Sequence, residues 1–125
     1  MRVHLGTGIV DIKTAAGKDC SNLPSITIPG TVTAFGGLAF EGCSALENVY
    51  FDENIQITQI ATGLFKNCSS LSGIAIPDKV KSIGTSAFEG CSVLANVSFG
   101  ENTQITTIGE YAFDHCTSLA AVTIH

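Results

Sequence analysis

The chain has 125 residues, of which 45% are hydrophobic and 14% charged, so its composition excludes an intrinsically disordered segment and fits a single domain. Its net charge is −5 and its lysines are scattered, so it lacks the basic stripe of a nucleic-acid-binding protein, and we expect no nucleic-acid partner. No apolar run approaches the roughly 20 residues that cross a bilayer, and no apolar leader follows Met1. We therefore predict neither a membrane span nor a signal peptide in this chain.

One cysteine phrase recurs along the chain and defines a repeat. Cys-Ser-x-Leu, or a close variant, ends at Leu23, Leu46, Leu71, Leu94 and Leu119. The steps between these leucines are 23, 25, 23 and 25 residues. A period in the twenties is typical of a solenoid, in which each coil buries its apolar face against its neighbours. We number the coils unit 1 (1–22), unit 2 (23–45), unit 3 (46–70), unit 4 (71–93), unit 5 (94–118) and the partial unit 6 (119–125).

Unit 1 fits the repeat only in part. Val3 and Ile12 align with Ile26 and Phe35 of unit 2. Gly17, however, stands where the complete units carry the last phenylalanine. Terminal coils of a repeat array are atypical because one of their sides faces water. We therefore predict that unit 1 is a degraded coil that caps the N-terminal end of the solenoid.

Units 2 to 5 each begin with a strand and continue with a second inward-facing segment. In unit 4, Ile74 and Ile76 alternate with Ala75, which is the period of a strand. Pro77 ends that strand because proline has no N–H for the ladder, and Pro29 has the same place in unit 2. An apolar pair three residues apart then turns inward again in each unit: Val32 with Phe35, Ile57 with Ile60, Val80 with Ile83, and Ile105 with Ile108.

Each complete unit closes on a phenylalanine and a cysteine three residues apart. This spacing fits one short helical turn that points both side chains into the core. Because free cysteine packs as a small apolar residue, we expect these thiols to be buried, reduced and stacked, with Cys20 of unit 1 as the most exposed thiol. The predicted structural ladder consists of Phe40, Phe65, Phe88 and Phe113 with Cys43, Cys68, Cys91 and Cys116.

These motifs resemble the BspA-like (Treponema-type) leucine-rich repeat family, whose unit reads approximately Leu-x-x-Ile-x-Ile-Pro-x-x-Val-x-x-Ile-Gly-x-x-Ala-Phe-x-x-Cys. Leu71 through Val93 match it nearly in full, and the resemblance is strong over residues 23–125 and weak over residues 1–22. It implies an α/β repeat fold: a right-handed leucine-rich-repeat solenoid with a parallel sheet on one face and short helical turns on the other. It also implies a surface or secreted protein that acts in adhesion and protein recognition, with no catalytic residues and no cofactor.

Two chemical alternatives are weaker than this structural interpretation. Asp114, His115 and Cys116 place a thiol beside a base, but His115 occupies the position that glycine or asparagine fills in units 2 to 4, which is typical of a positive φ. Cys116 occupies the buried position of the ladder. The acidic turns at 52–54 and 101–102 lack the Asp-x-Asp-x-Asp-Gly pattern of a calcium loop. We therefore predict neither a catalytic site nor a metal site.

A binding surface is predicted on the outward side of the strands. Solenoids bind partners on such extended sheet faces, and Tyr50 is the one large aromatic residue there, suited to act as an interface anchor. The first hypothesis is an adhesin-like module that binds a host or surface protein. The alternative is a carbohydrate-binding module that uses the Tyr50 ring and neighbouring polar groups. The predicted ligand-binding residues are Tyr50, Asn48, Asp52, Asn96 and Ser98.

Unit 6 repeats the strand phrase without the segments that follow it in the other units. Natural sheets protect such edges with charge, proline or a covering helix, and this one has only His125. We therefore expect either an end-to-end homodimer with two-fold symmetry through residues 119–125 or a piece of a longer array.

Overall fold

The fold is given by a computed structural model that describes residues 2–4, 11–12 and 22–123, with side chains for residues 22–120. Within these ranges the chain forms short strands joined by turns, and it forms no helix. The described residues therefore contain no helix that is long and apolar enough to cross a membrane. The strands are β1 (Arg2–His4), β2 (Asp11–Ile12), β3 (Ser25–Ile28), β4 (Ala34–Phe35), β5 (Asn48–Phe51), β6 (Gln59–Ile60), β7 (Gly73–Ile76), β8 (Ser82–Ile83), β9 (Asn96–Phe99), β10 (Thr107–Ile108) and β11 (Ala121–Thr123).

The strands form three parallel sheets in which successive units lie side by side. The largest sheet has the order β1-β3-β5-β7-β9-β11, and the other two have the orders β10-β8-β6 and β2-β4. This is the parallel-sheet solenoid that the repeat predicted. The register pairs Val3 with Ile26 and Ile12 with Phe35, as in the sequence alignment of unit 1. Cys20 lies outside the described residues.

An apolar core fills the inside of the coils. The inward positions of the strands are buried, among them Ile26 in β3 and Ile74 in β7. Both strands end immediately before a proline, Pro29 or Pro77, as predicted. No polar or charged side chain among the described residues is buried. The stability of the stack therefore rests on the burial of apolar surface and on the backbone ladders between units.

Unit 5 departs from the predicted pattern at its second inward pair. Ile60 and Ile83 are 0% and 1% exposed, but Ile108, in the equivalent position, is 45% exposed. Ile105 is partly buried against the core. Because β10 is the edge strand of its sheet, no further strand of the described chain covers Ile108. Ile108 thus keeps the register of the buried Ile83, but it is not buried as the inward-facing pairs of the other units are.

The predicted helical turns at the phenylalanine–cysteine segments are also wrong. In unit 3, the N–H of Cys68 donates to Phe65 O at 3.1 Å, which closes a β-turn, whereas the N–H of Phe65 donates to Ala87 O of unit 4 at 2.8 Å. A helix requires successive N–H groups to donate four residues back within the same segment. Here alternate N–H groups donate to the next unit. The turns consequently form a ladder between units in place of a helix.

Residues with positive φ shape these turns at two positions in each unit. The position of His115 was expected to have this conformation, and Gly42, Asn67, Gly90 and His115 do have φ between 61° and 80°. A second position was not predicted from the sequence: Leu38, Gly63, Ser86 and Tyr111 have φ between 58° and 62°. Left-handed residues interrupt a right-handed helix, which is a second reason why none forms here.

Candidate functional site

The large sheet opens at one junction, between β5 of unit 3 and β7 of unit 4. β3 and β5 pair at four positions, and so do β7 and β9. β5 and β7 pair at Asn48↔Gly73 alone. Each of these two strands thus keeps a complete ladder with its outer neighbour and only one bridge with the other.

Backbone hydrogen bonds show where the two units separate. Before the opening, Ser72 N–H donates to Glu47 O at 3.4 Å, and after it Lys81 N–H donates to Thr58 O at 2.7 Å. Unit 3 is two residues longer than unit 4, but length alone does not cause the opening. β9, the equivalent strand of the other long unit, pairs with β11 at three positions. The opening is therefore specific to the junction of units 3 and 4.

This opening forms a groove of about 560 Å³ on the strand side of the solenoid. The volume lies within the range of protein ligand sites, roughly 300–1,000 Å³. Buried and half-buried apolar residues form part of its lining: Val49, Phe51, Ile76 and Pro77. Tyr50 and four charged residues also line it: Asp52, Glu53, Asp78 and Lys79.

A polar network orders the turn of unit 3 beside the groove. Asn54 N–H donates to Asp52 Oδ1 at 2.8 Å, and Gln56 Nε2 donates to Asn54 O at 2.9 Å. Gln56 Oε1 accepts a hydrogen bond of 2.6 Å from Lys79 Nζ of unit 4, so the one ammonium group in the lining is already engaged. Because the lining carries more carboxylates than ammonium groups, the groove is acidic.

The turn side of the solenoid, in contrast, is closed by phenylalanine and cysteine side chains. The rings of Phe40, Phe65, Phe88 and Phe113 stack with centroids 5.4 to 5.8 Å apart. The cysteines of units 2 to 5 are buried and free. Three thiols donate to a phenylalanine carbonyl one unit back: Cys68 Sγ to Phe40 O at 3.2 Å, Cys91 Sγ to Phe65 O at 3.1 Å, and Cys116 Sγ to Phe88 O at 3.1 Å.

Burial makes these thiols poor nucleophiles. It raises the pKa of Cys91 to about 12 and also raises the pKa of Cys116. The pKa of Cys68 is raised by a hydrogen bond with the Cys43 thiol and by burial. Since the thiolate is the reactive form of cysteine, these raised pKa values disfavour the reactive form of Cys68, Cys91 and Cys116 at neutral pH.

Asp114 and His115 form a surface cluster with Glu89. His115 Nδ1 lies 3.0 Å from Asp114 Oδ2, and the three residues offer ligand atoms that all lie within 4.8 Å of one another. The adjacent Cys116 thiol donates to Phe88 O and not to the imidazole, so the three neighbours do not form a thiol–base pair. Carboxylates and imidazole are metal ligands, but His115 is 74% exposed, and exposed acidic groups are common without an ion.

The repeat itself decides the family. A model described as the BspA-type leucine-rich repeat region matches residues 10–125 in six copies. The chain belongs to the BspA-type leucine-rich repeat family. Leucine-rich repeat proteins of this kind are generally non-enzymatic and serve as protein-interaction modules.

Solved structures of bacterial leucine-rich repeat proteins share this architecture over 97% of the chain. A leucine-rich cell surface protein of Faecalibacterium prausnitzii is 32% identical with a TM-score of 0.89, and the leucine-rich repeat protein of T. pallidum is 30% identical with a TM-score of 0.85. A leucine-rich repeat protein of Bacteroides ovatus is 25% identical with a TM-score of 0.74. The chain covers 31%, 57% and 36% of these proteins, respectively. No curated protein matches the chain significantly.

The groove of this BspA-type chain contains two of the five predicted ligand-binding residues. Tyr50, which is 48% exposed, and Asp52 both line it. Asn48 lies at its end, where the pairing of β5 and β7 stops. Asn96 and Ser98 lie on β9, beyond β7, and the structure therefore separates them from the groove by one strand.

Sequence reasoning missed three groove residues, Gln56, Asp78 and Lys79. They lie in turns that follow the strands, and nothing in their types marks them as a site. A signal was nevertheless present. The turns that begin at Asp52 and Asp78 follow equivalent strands of neighbouring units, so stacking of the units brings these turns together.

Proposed function

We propose that this chain is a non-enzymatic, adhesin-like recognition module that binds a protein partner in the groove between units 3 and 4. The observation that carries the proposal is the opening of the sheet at this junction, which turns a flat face into an acidic concavity beside an exposed aromatic residue. The family supports an interaction role, and the similar protein of F. prausnitzii is described as a cell surface protein. We accordingly propose a surface or secreted location.

Tyr50 is the proposed anchor of the interaction. Its side chain is half exposed on the strand face and lines the groove, so a partner can cover it without rearranging the core. Tyrosine combines a large apolar ring with a hydroxyl group and is enriched among residues that contribute most to binding. Around it, the charged groups of the groove would set the specificity of the contact.

The proposal is tested with two tyrosine variants of the intact chain. A partner captured from host-surface extracts by the wild-type protein is titrated against Tyr50→Ala and against the matched control Tyr111→Ala, which removes the other exposed tyrosine. We expect at least a roughly tenfold loss of affinity for Tyr50→Ala, no change for the control, and unchanged melting temperatures. Wild-type affinity of Tyr50→Ala would contradict the proposal.

Carbohydrate binding is the second candidate, and one observation favours it. Gly73 of β7 pairs with Asn48 on one side and with Asn96 on the other. Two amide side chains therefore flank a glycine, which has no side chain. They lie on the face that also carries Tyr50. Amides and one aromatic ring are suitable groups for holding a sugar. A glycan array decides between the candidates: specific glycan binding that depends on Asn96 supports a carbohydrate ligand, and an array without signal removes it.

A second copy of the chain is a further proposed partner. β11 is the edge strand of the large sheet, and the exposed Ile108 belongs to the edge strand β10 in the adjacent unit. Two copies that pair through residues 119–125 about a two-fold axis would cover the β11 edge. Light scattering at several concentrations tests this: a dimer mass that appears with concentration supports it, and a constant monomer mass contradicts it.

A further inference from the structure

We infer that the groove between units 3 and 4 binds an extended peptide segment of the partner through an arginine or lysine side chain. This inference deepens the proposed function and rests on it. It concerns the chemistry of the ligand, which neither the family nor the similar structures specify. Three features of the described residues carry it: the distribution of charge, the exposed ring of Tyr50 and the apolar part of the lining.

Carboxylates stand on both walls of the groove. Asp52 belongs to unit 3, and its carboxylate lies close to Gly30 of unit 2. A Cβ atom built on Gly30 would be 3.0 Å from Asp52 Oδ1. Asp78 belongs to unit 4, and its carboxylate lies against Gly100 of unit 5. Both residues line the groove, one from each unit, but their carboxylates incline away from each other, toward units 2 and 5. Glu53 is exposed beside Asp52. A cation in the groove is attracted by the combined negative charge of these three lining residues.

The chain's own ammonium group leaves this attraction largely unsatisfied. Lys79 Nζ donates to the neutral amide oxygen of Gln56 at 2.6 Å, and this partner carries no negative charge. The lining contains three acidic residues and one lysine, so this concave site has an excess of negative charge. Clefts lined by one sign of charge concentrate ligands of the opposite sign.

Tyr50 selects for a cationic side chain rather than for a free inorganic cation. Its ring is half exposed at the groove, and a guanidinium or ammonium group above a tyrosine face is stabilised by the ring quadrupole. Arginine suits this arrangement best, because its planar group stacks on a ring and also presents several donors to carboxylates.

The apolar lining indicates a peptide as the carrier of that cation. The groove runs between two strands and includes the buried Val49 and Ile76 and the half-buried Pro77. Successive side chains of an extended segment point to opposite sides. A segment in which arginine alternates with valine can therefore place an arginine side chain near Tyr50. The valine side chains of the same segment can then pack against the groove wall or the adjoining face.

The test is a titration of the isotopically labelled chain with one defined probe. The probe is the capped peptide Gly-Ser-Val-Arg-Val-Arg-Val-Ser-Gly, and its twin carries neutral citrulline in place of both arginines. We expect amide shifts confined to residues 48–56 and 73–79, at least roughly tenfold weaker binding of the twin, and weaker binding at higher salt. Equal binding of both peptides, or shifts elsewhere on the surface, would overturn the inference.

Charge-neutralising variants add a matched comparison. Glu53→Gln and Asp78→Asn should each weaken the arginine peptide several-fold, because each removes one carboxylate from the groove. Glu101→Gln is the control, since Glu101 holds the position of Glu53 in unit 5 and does not line the groove. Equal effects of Glu53→Gln and Glu101→Gln would show that net charge, and not the groove, attracts the peptide.

The inference and the proposed function fail in different ways. If the captured partner depends on Tyr50 but is indifferent to Glu53→Gln and Asp78→Asn, the cationic-peptide inference is wrong and the recognition site stands. If the partner is indifferent to Tyr50→Ala, the proposed site itself is wrong, and the peptide titration no longer bears on the function.

Discussion

The turn side and the strand side of this solenoid obey the repeat to different degrees. On the turn side, the rings stack at 5.4 to 5.8 Å through three successive junctions, and alternate N–H groups donate to the next unit at each one. On the strand side, two neighbouring junctions pair at four positions and the junction between them at one. The same period therefore produces a uniform wall on one side and a groove on the other.

This difference separates the residues that maintain the stack from those available for binding. The phenylalanine and cysteine side chains are mostly buried and contact the units before and after them, so each unit depends on the next. The polar residues around the groove are largely exposed, and a change in one of them leaves the ladder on the turn side intact. Substitutions of these polar residues can therefore change what the groove binds while changing the free energy of unfolding little.

The largest expected effect lies on the turn side. Phe88 is fully buried between the rings of Phe65 and Phe113, so Phe88→Ala should lower the free energy of unfolding by about 3–5 kcal/mol. Lys81→Ala, at an exposed side chain, should change it by less than about 0.5 kcal/mol. Urea unfolding measures both. Similar losses for the two variants would show that the inside and the outside of the coil are wrongly assigned.

A smaller contrast compares two isoleucines in the same position of the repeat. Ile83 is 1% exposed and Ile108 is 45% exposed. Ile83→Ala should cost about 2–4 kcal/mol because it leaves a cavity, and Ile108→Ala about 1 kcal/mol or less because water already reaches the site. Urea unfolding of the two variants gives the comparison, and a loss at Ile108 equal to that at Ile83 would mean that another copy covers this end in solution.

The buried thiols predict how stability depends on pH. The pKa of Cys91 rises from 9.0 to about 12 in the folded chain, so between these values the unfolded thiol loses its proton while the folded thiol keeps it. The stabilising contribution is complete below about pH 9 and decreases as the pH rises to about 12, by at most about 1.4 kcal/mol per pH unit for one thiol. Unfolding measured from pH 7 to 11 under reducing conditions tests this. Cys91→Ala should reduce the slope, and an unchanged slope would contradict the assignment.

Sequence reasoning succeeded where residues with the same backbone preference recur at one position. The position of Gly42, Asn67, Gly90 and His115 indicated a positive φ because glycine and asparagine share it with a histidine. The position of Leu38, Gly63, Ser86 and Tyr111 has the same backbone conformation but mixed side chains, so no pattern indicated it. The phenylalanine–cysteine spacing predicted that both residues face inward. It did not distinguish a helical turn from a chain of β-turns, because both place residues three apart on one side.

The groove could be predicted only in part. Tyr50 and Asp52 were identified because an aromatic residue and an acidic turn on the strand face are visible in the sequence. The opening between β5 and β7 depends on the backbone path of two units, and side-chain types do not encode it. Without that opening, Asp78 and Lys79 of unit 4 look like ordinary turn residues. The stacking of equivalent turns indicates that they lie near the Asp52 turn, but not that the two turns line a groove.

Hydrogen exchange at two amides tests the open junction most directly. Asn48 N–H donates to Pro24 O and Asp52 N–H donates to Ile28 O. Along β5, therefore, every second N–H group, counted from Asn48, points to the preceding unit. The Ala75 N–H of β7 has the equivalent orientation and faces the open junction with β5. Ser98 of β9, which pairs with Ala75 in register, directs its N–H to the complete junction between β7 and β9. Our account predicts that the Ala75 amide exchanges at least about tenfold faster than the Ser98 amide. Equal protection of the two amides would contradict it, because the sheet would then be closed at both junctions.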